Sequence, residues 1–251
     1  IYLDMLNKLL ALSVGIHLQN HNLYVWKDAS IISIVGPDAE NFLQGYITSD
    51  ISKNSQNQLK PMSITDIKGR VIASGWTTKQ IEGIDLIVHT SLKETVESFF
   101  APYIRFSKSS LLTDHKRVCH SSSGLQIADG YFVELMTDQS VSDVSRTKDQ
   151  ELLEILTKNK FVFVEARISQ KFLPQQLGLH SVGAVDFDKG CYLGQEIVAR
   201  VQFRGSVKKE ITMTEFEKNA VSLGDKLSDG SILIQAPESG VGLAVTKAKS
   251  S

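Results

Sequence analysis

The chain has 251 residues, of which 42% are hydrophobic and 22% charged, and its 27 basic residues nearly balance 28 acidic ones. This length can bury the core of one large or two modest domains, and the balanced charge argues against a nucleic-acid-coated protein. Two cysteines, Cys119 and Cys191, are too few for a disulfide framework or a self-contained iron–sulfur cluster. We therefore expect a reducing, cytoplasmic location.

Membrane attachment and secretion are not expected. The N-terminal residues lack a basic segment followed by an apolar one and a small-residue cleavage site, so no secretory signal is predicted. No stretch approaches the roughly 20 uninterrupted apolar residues of a membrane span.

The periodicity of apolar residues predicts a mixture of helices and short strands. An amphipathic helix is predicted at residues 2–13, and strands alternate with helices after it. The strands are predicted at 23–26, 31–35, 63–67, 71–76, 84–88, 110–113, 125–128 and 131–135, and the helices at 39–44, 91–103, 149–156 and 195–201. This order indicates an α+β fold rather than a doubly wound parallel sheet.

The last part of the chain has a different pattern. From residue 207 to residue 245, short apolar runs are separated by turn residues such as Gly224, Asp229-Gly230 and Gly240. Such spacing is typical of a small β-barrel or sandwich. We therefore expect an α+β region over residues 1–203 and a small or incomplete C-terminal β-barrel over residues 204–251.

The segment KGCYLGQE at residues 189–196 is the most informative part of the chain. Cys191 is expected just before a helix that Gln195 begins, where the helix dipole and the charge of Lys189 both favour a thiolate. These features suit a reactive thiol activated by Lys189. The alternative is that Cys191 is a small buried apolar residue, which is common for cysteine in globular proteins.

A basic stretch follows this segment. Glu196 and Arg200 are four residues apart, which predicts a surface ion pair contributing about 0.3 to 0.5 kcal/mol. Residues 197–209 contain Arg200, Arg204, Lys208 and Lys209 but no acidic residue. Such a patch suits a polyanion, whether phosphate, oligo-glutamate or RNA, although a solvated edge of the barrel would show the same charges.

KGCYLGQE, with FLPQ before it and VARVQFRG after it, closely resembles the signature of the YgfZ family, folate-binding relatives of the glycine-cleavage T protein. Residues 34–50, which contain IVGPDAENFLQG and TSD, are similar to the family's first motif. DIKGR at 66–70 and YIRFSK at 103–108 are similar to later ones. The resemblance implies two interleaved α+β subdomains and a β-barrel, arranged as a ring around a folate-binding cleft.

The resemblance also implies a function. The ligand would be tetrahydrofolate or a derivative, and the role would be the synthesis or repair of iron–sulfur enzymes, including enzymes that modify tRNA. Its partners would be those enzymes or their assembly machinery, and tRNA would be involved at most indirectly. Within the signature, Cys191 is the residue with the most suggestive role. No resident metal is expected.

A pterin needs an aromatic or apolar slot, hydrogen-bonding groups at its pyrimidine edge and basic groups for its glutamate tail. The candidates for stacking are Trp26, Tyr46 and Tyr192; those for polar contacts are Asp50, Gln195 and Glu196; and those for the tail are Arg200 and Arg204. Each has an alternative, because Trp26 and Tyr46 also suit a core and Asp50 also suits a turn or a helix cap.

Two further functions remain open at this point. One is a tetrahydrofolate-dependent aminomethyltransferase of the T-protein type, although KGCYLGQE is not the signature of that enzyme. The other is a binding or scaffold module in which Cys191 is structural and the basic stretch binds a partner.

Overall fold

The computed structural model describes residues 24–137, 148–205 and 207–248. The helix predicted at residues 2–13 lies outside these residues. Within them the chain is an α+β structure of three antiparallel sheets and four α-helices, as the pattern predicts.

The strands and helices follow one another along the whole described chain. The strands are β1 (Tyr24–Val25), β2 (Ala29–Val35), β3 (Lys60–Thr65), β4 (Val71–Lys79), β5 (Gly83–His89), β6 (Ser110–Thr113), β7 (Lys116–Ser121), β8 (Leu125–Ala128), β9 (Tyr131–Thr137), β10 (Lys209–Glu215), β11 (Ile232–Gln235) and β12 (Val241–Lys247). The helices are α1 (Ala39–Gln44), α2 (Lys93–Ile104), α3 (Asp149–Lys158) and α4 (Gln195–Arg204), with short 3₁₀ turns at Ile51–Lys53, Thr90–Leu92 and Pro174–Leu177.

The central sheet has five strands in the order β3-β4-β5-β2-β6. Successive side chains of a strand point to opposite faces of its sheet. In β2, Ile32 and Ile34 accordingly lie in one apolar cluster, whereas Ile31, which points to the other face, lies in a second cluster. Both faces of this sheet are therefore buried, and the continuous apolar run of the strand reflects that burial.

A second sheet, β1-β7-β9-β8, borders the second cluster. Its strand β7 was not among the strands predicted from periodicity, because only Val118 and Cys119 interrupt a polar run. The strand forms because it pairs with β1 on one side and β9 on the other. Cys119 is buried there.

The C-terminal residues form a three-stranded antiparallel sheet in the order β10-β12-β11. Residues 207–248 contain no closed barrel, so the barrel predicted over 204–251 is corrected to an open sheet; three strands are too few to close one. Leu243 and Val245 of β12 join the apolar cluster of the central sheet. The sheet therefore shares the main core. Within the described residues, no helix is both long and apolar enough to cross a membrane.

Candidate functional site

Three motifs that are far apart in sequence meet around Lys189. Its ammonium donates hydrogen bonds to the backbone oxygens of Gln44 at 2.8 Å, Ile47 at 2.7 Å and Ser49 at 3.0 Å. All three donors of the ammonium are thus satisfied by the chain that leaves α1. Lys189 therefore fastens the KGCYLGQE segment to the first motif.

Lys189 is 7% exposed, which is unusual for a lysine. Burial lowers its pKa to about 8, although the negative charges of Asp50 and Asp186 partly oppose this shift. The ammonium also lies 5.2 Å from the ring centroid of Tyr192. Burial in turn raises the pKa of Tyr192 above its usual range. The three carbonyl oxygens and the carboxylates of Asp50 and Asp186 stabilise the charged form of this buried lysine.

Asp186, three residues before the KGCYLGQE segment, makes a second contact with the first motif. Its Oδ2 accepts hydrogen bonds from the backbone N–H of Asp50 at 2.6 Å and from the Lys60 ammonium at 2.8 Å. Lys60 also donates to the backbone oxygen of Asp50 at 2.9 Å. Burial would raise the pKa of Asp186, but these hydrogen bonds and charges outweigh it and lower the pKa.

Asp50 caps the 3₁₀ turn that begins at Ile51. Its Oδ1 accepts from the Ser52 hydroxyl at 2.7 Å, the Ser52 N–H at 3.0 Å and the Gln44 amide at 2.8 Å. The Ser52 hydroxyl is the main reason that its pKa falls to about 2. The prediction of a cap residue is therefore confirmed. Its role as a hydrogen-bond acceptor for a pterin stays a prediction.

The second motif is also part of the junction. The Thr65 hydroxyl donates to the backbone oxygen of Leu193 at 2.6 Å, and the Leu193 N–H donates to the oxygen of Gly45 at 2.9 Å. Gly194 follows with φ +85°, and a Cβ there would lie 2.9 Å from the Cα of Gly69 and clash with the oxygen of Asp66. Only glycine allows so close an approach of the two backbones.

Cys191 is exposed, so the alternative that it is a buried apolar residue is wrong. The neighbouring Gly190 is exposed too, and a Cβ there would meet no atom within 4 Å. Helix α4 begins only at Gln195, with Gly194 as its N-cap. The thiol therefore lies before the first turn, to which the dipole effect is largely confined. Its activation by Lys189 stays a prediction.

The aromatic candidates lie in two different places. Trp26 is 2% exposed and packs against Trp76 and Phe163, with ring centroids 6.0 and 5.0 Å away. Its core role is thus confirmed. Tyr46 is half-buried beside Phe42 and Tyr103, at 4.9 and 5.1 Å. Tyr192, by contrast, belongs to the junction around Lys189.

The polar candidates on α4 face outward. Gln195 accepts a long hydrogen bond, 3.4 Å, from the N–H of Tyr192 through its Oε1. Glu196 and Arg200 form the predicted ion pair, with a nitrogen–oxygen distance of 2.8 Å and side chains 81% and 63% exposed. Arg204 is exposed at the end of the helix. The structure therefore brings Lys189, Asp50 and Tyr192 together, leaves Glu196, Arg200 and Arg204 on the surface, and half-buries Gln195.

The sequence did not single out Asp186, Lys60 or Thr48. Thr48 donates to the backbone oxygens of Ala184 and Ser63 at 2.5 and 3.1 Å, which fixes the stretch before Asp186. Thr48 lies within the TSD stretch that carries the family resemblance, and Asp186 lies between FLPQ and KGCYLGQE, so nearness to these motifs was the available signal. Lys60 had none, because its partner is 126 positions away and is set by the fold alone.

The fold of the chain is similar to that of a glycine-cleavage aminomethyltransferase. It superposes on the crystal structure of glycine cleavage system aminomethyltransferase T from Bartonella henselae with a TM-score of 0.65 over 90% of this chain and 78% of that one. The sequences are 10% identical, so this likeness concerns the fold.

The relatives by sequence are YgfZ proteins, and the resemblance stated above is confirmed. Proteins named tRNA-modifying protein YgfZ from Shigella boydii serotype 4 and Escherichia coli strain SE11 are each 25% identical to it in an alignment of 223 positions; the matched part covers 73% of this chain and 68% of theirs. No protein-family model matches the chain.

Proposed function

We propose that this protein binds a reduced folate and supports the synthesis or repair of iron–sulfur enzymes, including enzymes that modify tRNA, with Cys191 as its functional thiol. The main support for the proposal is that the KGCYLGQE segment packs against the first and second motifs while the Cys191 thiol stays exposed. Relatives of this chain are named tRNA-modifying protein YgfZ, which agrees with this role.

The anchoring of the segment suits a thiol that reacts with a partner. Asp186, Lys189 and Leu193 are each bonded to distant parts of the chain, whereas Gly190 and Cys191 between them are exposed. A nucleophile that is held in place loses little entropy when it reacts. An exposed thiol can meet a macromolecule as readily as a small molecule, which agrees with an accessory role toward other proteins.

A folate would be held at the cavity of about 210 Å³ beside Trp26 and Ala29. Lys27 and Lys116 line it and suit the glutamate carboxylates, although Lys116 already binds Asp85 at 2.7 Å. The cavity is smaller than the roughly 300 Å³ or more that is usual for drug-sized ligands, so it would hold only one end of the folate and the rest would lie along the surface. When bound, tetrahydrofolate or its derivative would supply one-carbon chemistry.

A second candidate function is an aminomethyltransferase, which only the likeness of fold favours. Incubation with an aminomethylated lipoyl carrier and tetrahydrofolate tests it. Formation of methylene-tetrahydrofolate at a catalytic rate would favour the transferase over the accessory role.

Calorimetric titration of the full chain with tetrahydrofolate and 5-formyltetrahydrofolate tests the binding step. We expect saturable heat with at least one of them, and heat with neither would leave a scaffold role. Complementation of a bacterial strain that lacks its own copy tests the thiol. Cys191→Ser should fail to restore tRNA methylthiolation, whereas Cys119→Ala, which alters the other cysteine, should restore it. Full rescue by Cys191→Ser would refute the thiol role.

A further inference from the structure

The fold gathers a row of exposed cations that the sequence shows only in part. Residues 197–209 already carry basic side chains without an acid. The structure adds cations from two other regions and places them beside this stretch. We call the set the basic strip; it comprises Arg70, Lys171, Arg204, Lys208, Lys209 and Lys247, all exposed.

Contacts connect most members of the strip, and Arg204 precedes Lys208 by four residues in the chain. Arg70 donates to the backbone oxygen of Gln170 at 3.4 Å, which places it next to Lys171. The Lys209 ammonium lies 5.9 Å from the ring centroid of Phe172, the residue after Lys171. The N–H of Ala248 donates to the oxygen of Lys208 at 3.0 Å, which joins the ends of β10 and β12.

Lys209 and Lys247 are directly opposite each other in the antiparallel pair of β10 and β12. Opposed residues of such a pair share a face of the sheet, and like charges there destabilise it. Glu210 follows Lys209 in β10, so its side chain points to the face of the sheet opposite to this pair. The repulsion between Lys209 and Lys247 destabilises the free protein, and we expect a bound anion to reduce it.

An aromatic platform lies at the Arg204 end of the strip. Phe203 is 69% exposed, although it is a large apolar side chain. Its ring lies 5.8 Å from that of Phe187, which is half-buried in the loop that leads to Lys189. Bases stack on exposed aromatic rings next to a cationic groove in proteins that bind single-stranded nucleic acids.

We propose that the basic strip binds the phosphodiester backbone of single-stranded RNA and that Phe203 stacks on one of its bases. The row of cations favours a linear polyanion over a single phosphate. The exposed ring favours a nucleic acid over an acidic peptide, which has no base to stack. The choice of RNA over DNA rests on the proposed role in tRNA modification. Direct contact with RNA departs from the expectation, drawn from the family resemblance, that tRNA is involved at most indirectly.

Fluorescence anisotropy with the full chain and a fluorescein-labelled 20-nucleotide single-stranded RNA tests the proposal. We expect saturable binding at 50 mM KCl, and a slope of log affinity against log salt of about −4 for six phosphate contacts. Lys209→Gln with Lys247→Gln should weaken binding about tenfold and reduce the slope by about 1.4. This double variant relieves a repulsion, so we expect it to fold.

The matched control is Lys108→Gln with Lys218→Gln, which changes the net charge equally at two exposed lysines outside the strip. Its affinity should stay close to that of the wild type. Phe203→Leu should weaken binding about tenfold and leave the salt slope unchanged, because the loss is of stacking.

Four outcomes would overturn the proposal. One is the absence of RNA binding at 50 mM KCl, and another is an equal loss in the strip variant and its control. A labelled 20-residue polyglutamate that binds as tightly as the RNA would instead point to an acidic protein. Single-stranded DNA of the same sequence that binds equally well would remove the assignment to RNA. Because no assay contains folate, none of these results bears on the folate titrations.

Discussion

Lys189 donates a hydrogen bond of 2.7 Å to the backbone oxygen of Ile47, 142 residues earlier in the chain. Together with its hydrogen bonds to Gln44 and Ser49, this contact means that Lys189 holds the KGCYLGQE segment against the first motif. The loop that carries Cys191 therefore owes its position to a buried charge, and four predictions follow the consequences of that arrangement.

Lys189→Met should lower the free energy of unfolding by about 3 kcal/mol, because three buried carbonyl oxygens lose their charged donor. Urea denaturation measures the change. Lys68→Met is the control: it changes an exposed lysine of the second motif by the same chemistry and should have little effect. Equal stability of the two variants would show that the carbonyl contacts contribute nothing.

Asp50 should make the protein sensitive to acid. Its pKa is about 2 in the folded state and near 3.8 when unfolded. Between these values the unfolded chain binds the extra proton, so stability is present above pH 4 and is lost as the pH falls toward 2. In Asp50→Asn, unfolding free energy should fall less steeply over this range. Asp188→Asn, at an exposed position in the nearby loop, should keep the slope of the wild type.

The two thiols should react at very different rates in the native protein. Cys191 is exposed, whereas Cys119 is buried and burial raises its pKa to about 11. Only the thiolate reacts, so iodoacetamide at pH 8 should label Cys191 first and Cys119 only after denaturation. Peptide mapping by mass spectrometry assigns the label. Similar labelling of both cysteines in the folded state would contradict the burial of Cys119.

Two glycines of one motif should respond in opposite ways to alanine. Gly194→Ala places a Cβ against the hairpin of the second motif at φ +85°, and should lower the free energy of unfolding by about 3 kcal/mol or more. Gly190→Ala meets open space and should be nearly neutral. Thermal denaturation compares them. A nearly unchanged Gly194→Ala would mean that the two motifs separate easily.

Much of the secondary structure was predictable because it depends on local periodicity. The helix at residues 39–44 and the strand at 110–113 were predicted to the residue. Strand β7 was absent from the strands predicted by periodicity, because its burial comes from β1 and β9 and not from its own composition. The C-terminal barrel was wrong for a related reason: turn residues predict strands, but they do not say how many strands join one sheet.

Some features of the candidate site were likewise predictable from the sequence, and others were not. Local sequence was enough to identify the KGCYLGQE motif, its family resemblance, the outward pair of Glu196 and Arg200, and the capping role open to Asp50. Long-range packing, which the sequence does not show, exposes Cys191, buries Trp26 and bonds Lys189 to carbonyl oxygens rather than leaving it in solvent. Local patterns report which face a residue occupies, whereas burial and hydrogen-bond partners depend on segments more than 100 residues apart, which the chain brings together only on folding.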